Sequence, residues 1–194
     1  MTPWEESGDL VGTLRAILRD PVGFYRGADP EGPVSRPLLF GVMVGTVGSV
    51  FTILWQALAA LLGLTATDVE PVAALLRAAG ACLVSPIGMT VALLAGAGLT
   101  HLALLVIGGA RRGYGATLRV NAYAQAPHVL SVVPVCGAVV GGIWSLVLTV
   151  IGLREVHETT TGRAIAAVVL PVVVCVCLAA GVGVLIAFVL HTPG

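Results

Sequence analysis

Five apolar runs dominate the chain, at about residues 38–63, 80–107, 118–133, 137–153 and 164–190, with only short polar stretches between them. An apolar run of roughly 18 residues or more is long enough to cross a hydrocarbon core about 30 Å thick. In that solvent a backbone must satisfy its own hydrogen bonds, and the helix does so segment by segment. Composition agrees: 10% of the 194 residues are charged, against about 25% in soluble domains. The expected fold class is therefore all-α, a polytopic transmembrane bundle of five spans preceded by a short amphipathic helix. The expected organisation is an N-terminal segment, 1–36, followed by a five-helix membrane domain, 37–194.

The third and fourth runs are short. Sixteen residues at 1.5 Å each give about 24 Å, less than the hydrocarbon thickness. Tilt and local thinning absorb such a mismatch, so two spans are expected. A re-entrant hairpin turning at Pro134 to Gly137 is the alternative.

Arginine placement sets the expected orientation, since basic residues concentrate in cytoplasmic loops. With the N-terminus inside, Arg15, Arg19, Arg26, Arg36, Arg111, Arg112, Arg119, Arg154 and Arg163 are inside, and Arg77 is outside. The C-terminus then lies on the opposite side. Residues 1–36 have neither the short apolar region nor the cleavage site of a signal peptide, so the first span is expected to act as an uncleaved anchor in the inner membrane.

Within 1–36, Asp9 to Asp20 reads as an amphipathic helix, with Asp9 as its cap and Pro21 as its stop. Leu10, Val11, Leu14, Ile17 and Leu18 fall at helical spacing, with Arg15 and Arg19 on the other side. The pattern suits a helix lying in the membrane interface, or one packed on the ends of the bundle. Ala28 to Pro37 holds three prolines and two acids and reads as a linker.

Small residues recur at four-residue spacing: Gly41 and Gly45, Gly137 and Gly141, and the stripe Cys175, Ala179, Gly183 and Ala187. Such stripes let helices approach closely, either in a compact bundle or at a homo-oligomer face. Pro86, Pro127 and Pro171 lie inside apolar runs and are expected to kink them, freeing the carbonyls of Cys82, Tyr123 and Ala167.

Polar groups within spans are the candidates for function. Asn121, Gln125 and His128, at i, i+4 and i+7, would share one face of a helical third segment. Polar groups at membrane depth face protein or water, so this seam is either a path or internal glue between helices. His101 reads as a helix-contact residue, and Trp55 suits the interfacial aromatic belt. The run Arg154-Glu155-Val156-His157-Glu158 reads as a charged loop, with its acids pairing Arg154, Arg111 or Arg112. His157 and Glu158 invite a metal reading, but there is no HExxH and the other histidines are scattered. No metal or other cofactor is expected. The free cysteines Cys82, Cys136, Cys175 and Cys177 read as small apolar residues.

Catalytic signatures are absent from the sequence: there is no phosphate-cradling glycine loop, nucleophile elbow or intramembrane aspartate pair. With zero net charge and no basic face, nucleic acid is not an expected partner.

Several short motifs resemble the bacterial members of the Yip-one domain (Ypt/Rab-interacting protein) family. They are the run Leu18-Arg-Asp-Pro-Val-Gly-Phe-Tyr25, Gly113-Tyr-Gly115, Tyr123-Ala-Gln-Ala-Pro127 with Pro134, Ile143-Trp144, and Gly152-Leu-Arg154 leading to Gly162-Arg163-Ala164. The resemblance implies a five-helix membrane domain with a cytoplasmic N-terminus. Eukaryotic relatives are linked to Rab GTPases, a role that does not transfer to a bacterial chain; shared fold is not shared activity. The expected function is non-enzymatic: an adaptor or organiser that binds protein or lipid partners at the bilayer. Its candidate interaction face is Arg15, Arg19, Tyr25, Tyr114, Arg154, Glu155 and His157. A small-solute transporter or channel using the polar seam is the rival, and an intramembrane enzyme or its accessory subunit comes last.

Overall fold

The computed structural model describes residues 2–65 and 70–191. The helices, in order, are α1 (Pro3–Ser7), α2 (Leu10–Arg19), α3 (Pro21–Gly27), α4 (Ser35–Leu61), α5 (Pro71–Ile107), α6 (Tyr114–Tyr123), a 3-10 helix (Ala126–Val132), α7 (Cys136–Val156) and α8 (Thr161–His191). No strand occurs among the described residues. Four of these helices, α4, α5, α7 and α8, are long and apolar enough to cross a membrane. They coincide with four of the five apolar runs.

The third run is built differently from the single helix expected over 118–133. It starts as α6, breaks after Tyr123, and continues as the 3-10 helix. Pro127 stands in the first turn of that 3-10 helix. Its missing N–H and bulky ring disfavour an α-helix through this point, so it ends the helix rather than kinking it. Pro86 and Pro171, by contrast, lie inside unbroken helices. The Cys82 carbonyl that Pro86 frees accepts from the Ser85 hydroxyl at 2.8 Å.

Glycines let neighbours sit against this broken segment. A Cβ on Gly41 would come within 2.8 Å of the Ala122 Cα, and one on Gly48 within 2.7 Å of the His128 carbonyl. On the opposite flank, a Cβ on Gly141 would lie 2.8 Å from the Pro127 carbonyl, and one on Gly137 would collide with that of Leu130. Trp55 donates its indole N–H to the Ser131 carbonyl at 3.0 Å. The segment thus runs alongside α4 in the same direction, with Ala122 beside Gly41 and Ser131 beside Trp55. Gly41, Gly137 and Gly141 serve packing within the chain. The stripe on α8 has no such neighbour: a Cβ on Gly183 meets nothing within 4 Å, and Ala187 lies outside the described side chains. Cys136, Cys175 and Cys177 are exposed rather than buried in protein, because α8 and the start of α7 turn them outward.

Local rules account for the N-terminal segment. Thr2 and Glu5 form a reciprocal capping box for α1, with Pro3 in its first turn. Asp9 caps α2 by accepting the Gly12 N–H at 2.8 Å, as its position implied. Asp20 accepts the Gly23 N–H at 2.9 Å, so Asp20-Pro21 opens α3 as well as closing α2. These helices share one buried cluster with the bundle: Trp4, Ile17, Phe24 and Tyr25 pack with Phe40, Val120, Tyr123, Leu148 and Leu153.

Candidate functional site

The chemistry-bearing side chains gather at one end of the bundle, where α6 begins and the N-terminal segment docks. Arg119 lies at its centre, with a fully buried side chain. A buried guanidinium is costly unless it is paired and hydrogen-bonded. Its ion pair is with Glu5 of α1, and its other terminal nitrogen donates to the carbonyls of Gly32 and Pro33, at 2.8 and 3.2 Å. The Pro-rich linker thus supplies acceptors for the third segment's arginine. Thr2 and Tyr123 share a hydroxyl hydrogen bond of 2.8 Å. Trp4 donates to the Arg36 carbonyl at 2.6 Å, and Arg36 returns a bond to the Glu5 carbonyl at 2.8 Å. Edge-on aromatic contacts close the cluster: Trp4 on Phe40 at 5.9 Å and Phe24 on Tyr123 at 5.0 Å.

Tyr25 enters the same cluster between α3 and α7. Gly152 makes room for it, since a Cβ there would come within 2.9 Å of the ring. Burial, and after it the neighbouring Tyr123, raises the Tyr25 phenol above its ordinary value and keeps it protonated.

A second buried network joins three elements. The Arg112 backbone N–H donates to Nδ1 of His157 at 3.2 Å, which leaves Nε2 of a neutral ring as its donor. Nε2 meets the Thr117 hydroxyl at 2.9 Å, and that hydroxyl meets Nδ1 of His101 at 2.9 Å. One direction satisfies every group: His157 donates to Thr117, and Thr117 donates to His101. The His157 pKa falls to about 4, first from burial, then from repulsion by His101 and Arg112. His101 is thus a helix contact, as read. Thr117 gave no signal in the sequence, because a threonine near the start of an apolar run looks ordinary.

Charged pairs cover this end from outside. Arg112 bridges Glu158 at 2.8 Å and Glu31 at 3.1 Å. Glu155 pairs with its neighbour Arg154 and, at 2.7 Å, with Arg26 of α3. The pairings expected of Glu155 with Arg154 and Glu158 with Arg112 are present. Among the described residues no group of three or more His, Cys, Asp or Glu could hold a metal.

The structure divides the seven residues of the candidate interaction face. Arg15 and Arg19 are exposed beside a groove of about 430 Å³ between α1, α2 and α3. Tyr114 is exposed, and its hydroxyl donates to the Leu94 carbonyl at 2.9 Å. Arg154 and Glu155 are half-buried. Tyr25 and His157 are buried and cannot meet a partner, because the aromatic cluster and the histidine network claim them. The polar seam divides as well. Asn121 and Gln125 line a cleft of about 250 Å³ against α5. The turn into 3-10 geometry sets His128 against Gly48 instead.

The Yip1 domain family model matches residues 15–182. The chain belongs to the Yip1 domain family. That match and the apolar helices make it a multi-pass membrane protein. No curated protein and no solved structure matches it.

Proposed function

We propose that this Yip1 domain protein is a non-enzymatic membrane adaptor whose cytoplasmic face recruits protein or lipid partners. The observation that carries the reading is the buried Arg119–Glu5 pair. It anchors residues 2–36 as a preformed surface in which α2 presents Arg15 and Arg19 outward. Preorganisation of this kind lowers the ordering cost of binding. The third segment makes a fifth crossing: it keeps register with α4 from Gly41 to Trp55, and the arginine asymmetry holds only for an odd number of crossings. The N-terminus is then cytoplasmic, the C-terminus lies across the inner membrane, and α2 lies in the interface. Leu18 shares a shallow apolar cleft with Leu130, Val140, Ile143 and Trp144, so the end of α2 also packs along the side of the bundle.

The test is in-cell crosslinking from a photoreactive residue at position 15 or 19. A discrete adduct that disappears on Glu5→Ala, with membrane levels unchanged, supports the adaptor. Crosslinking that ignores Glu5→Ala counts against it. Transport is the second reading, because Asn121 and Gln125 line a cleft. Solute flux in proteoliposomes that is abolished by Gln125→Leu would put it first.

A further inference from the structure

The side of the molecule away from the N-terminal segment holds a polar group with no partner. Asn121 Nδ2 is buried and makes no hydrogen bond. Gln125 reaches back to the Asn121 backbone carbonyl at 3.4 Å, so it does not serve the Asn121 side chain. A buried amide N–H left unbonded is destabilising, so an acceptor from outside the chain is called for.

Asn121 also lines a cleft beside this amide, and that cleft describes the acceptor. One wall is polar, made by Asn121 and Gln125. The other is apolar: Met89, Leu93 and Ala97, with Ala92 and Gly96 on the open side of α5. Ala92 is exposed, so the cleft opens sideways between α5 and the third segment, not along the bundle axis. α5 and α6 run in opposite directions, since Thr117 meets His101 while Asn121 and Gln125, further along, lie against Met89 to Ala97. From Ala97 to Met89 the apolar wall therefore leads away from the polar end. Asn121 sits seven residues past Tyr114, or about 10 Å along the helix. That places it near the boundary between headgroups and hydrocarbon, given interfacial layers of roughly 5–8 Å on each side of the core.

We propose that this cleft is a binding site for one chain of a glycerophospholipid, with the Asn121 amide donating to an acyl ester carbonyl and the chain lying along Gly96, Ala92 and Met89. The amide accounts for the ester, the apolar wall for the chain, and the lateral opening for entry from the bilayer. The site is independent of the N-terminal surface.

The test places the full chain in phosphatidylcholine nanodiscs doped with a phosphatidylcholine carrying a diazirine beside the acyl ester. Labelling is then mapped by mass spectrometry. The expected result is labelling of Met89–Ala97 well above that of the exposed α8 face, Val172–Val182. Asn121→Leu combined with Gln125→Leu should lower the first by about tenfold and leave the second unchanged. Gly96→Leu should do the same by filling the cleft. A Cβ at Gly96 meets nothing within 4 Å, and an unchanged Tm checks that the variant keeps the fold. Equal labelling of the two stretches, or no response to either variant, would overturn the site. A cysteine-replaced Ala92→Cys variant covers the other occupants. Rapid reaction with a water-soluble maleimide would mean that water fills the cleft, and a disulfide-linked dimer would mean that a second copy does. Either would overturn the proposal.

Discussion

The two halves of the bundle are held in order by different forces. At the end where α6 begins, the buried set includes Arg119, His157, Thr117, Tyr25 and Tyr123, and nearly every polar atom has a named partner. Along α8 beyond Pro171, every described side chain is exposed and apolar or small. One half is specified by directional bonds among residues distant in sequence. The other is left for hydrocarbon to cover, where helix association relies on close packing rather than a hydrophobic drive. Substitutions should therefore be felt strongly at the first end and weakly at the second.

Glu5→Ala should give the largest effect, since it leaves the Arg119 guanidinium buried without its counter-ion, at a cost of about 3–5 kcal/mol. Thermal unfolding in detergent would read this as a lowered Tm, together with faster proteolysis before Ser35. Glu5→Met with Arg119→Met should recover much of the loss. If Glu5→Ala is silent, the buried network does not hold this end together.

Acid should come next. The His157 pKa in the folded chain, about 4, lies below the ordinary value near 6.5, so between these values the unfolded chain binds the extra proton. Stability is then whole above about pH 6.5 and falls as pH drops toward 4, by up to about 3 kcal/mol. Denaturation midpoints measured against pH should show this slope, and His157→Gln should flatten it.

A matched glycine pair sharpens the contrast. Gly41→Val drives a side chain into the Ala122 backbone and should cost about 1–3 kcal/mol. Gly181→Val, where a Cβ meets nothing within 4 Å, should stay within about 0.5 kcal/mol of the parent. Equal Tm shifts would mean that the α8 face is packed in the membrane, against a second copy or another protein. Arg112→Gln, which removes only ion pairs at the surface, should likewise shift the Tm very little.

The same division explains what the sequence made legible. The limits of α4, α5, α7 and α8 follow from local apolar composition and came out within a few residues, α5 starting at Pro71 because the helix-friendly stretch Pro71 to Ala79 joins the apolar run that begins near 80. The break at Tyr123 was foreshadowed by Pro127, but a proline alone does not separate a kink from an ending. Thr2-Pro-Trp-Glu5 fits a capping box and marks α1, a helix that was not expected from the sequence. What could not be read was the pairing of Glu5 with Arg119 and of Thr117 with two histidines, because such contacts join residues that only the folded chain brings together. Tyr25 and His157 looked like surface residues because sequence neighbours, not spatial ones, set that impression.

The Glu5–Arg119 pair also carries a schedule. Its partners are 114 residues apart, so at about 5–20 residues per second a ribosome releases α1 roughly 6 to 23 seconds before the arginine it neutralises. During that interval α4 and α5 are already available for insertion, while α1 has a capping box but no socket. The N-terminal helices are thus first to be made and among the last to be seated. Their docking marks the moment when the third segment has arrived.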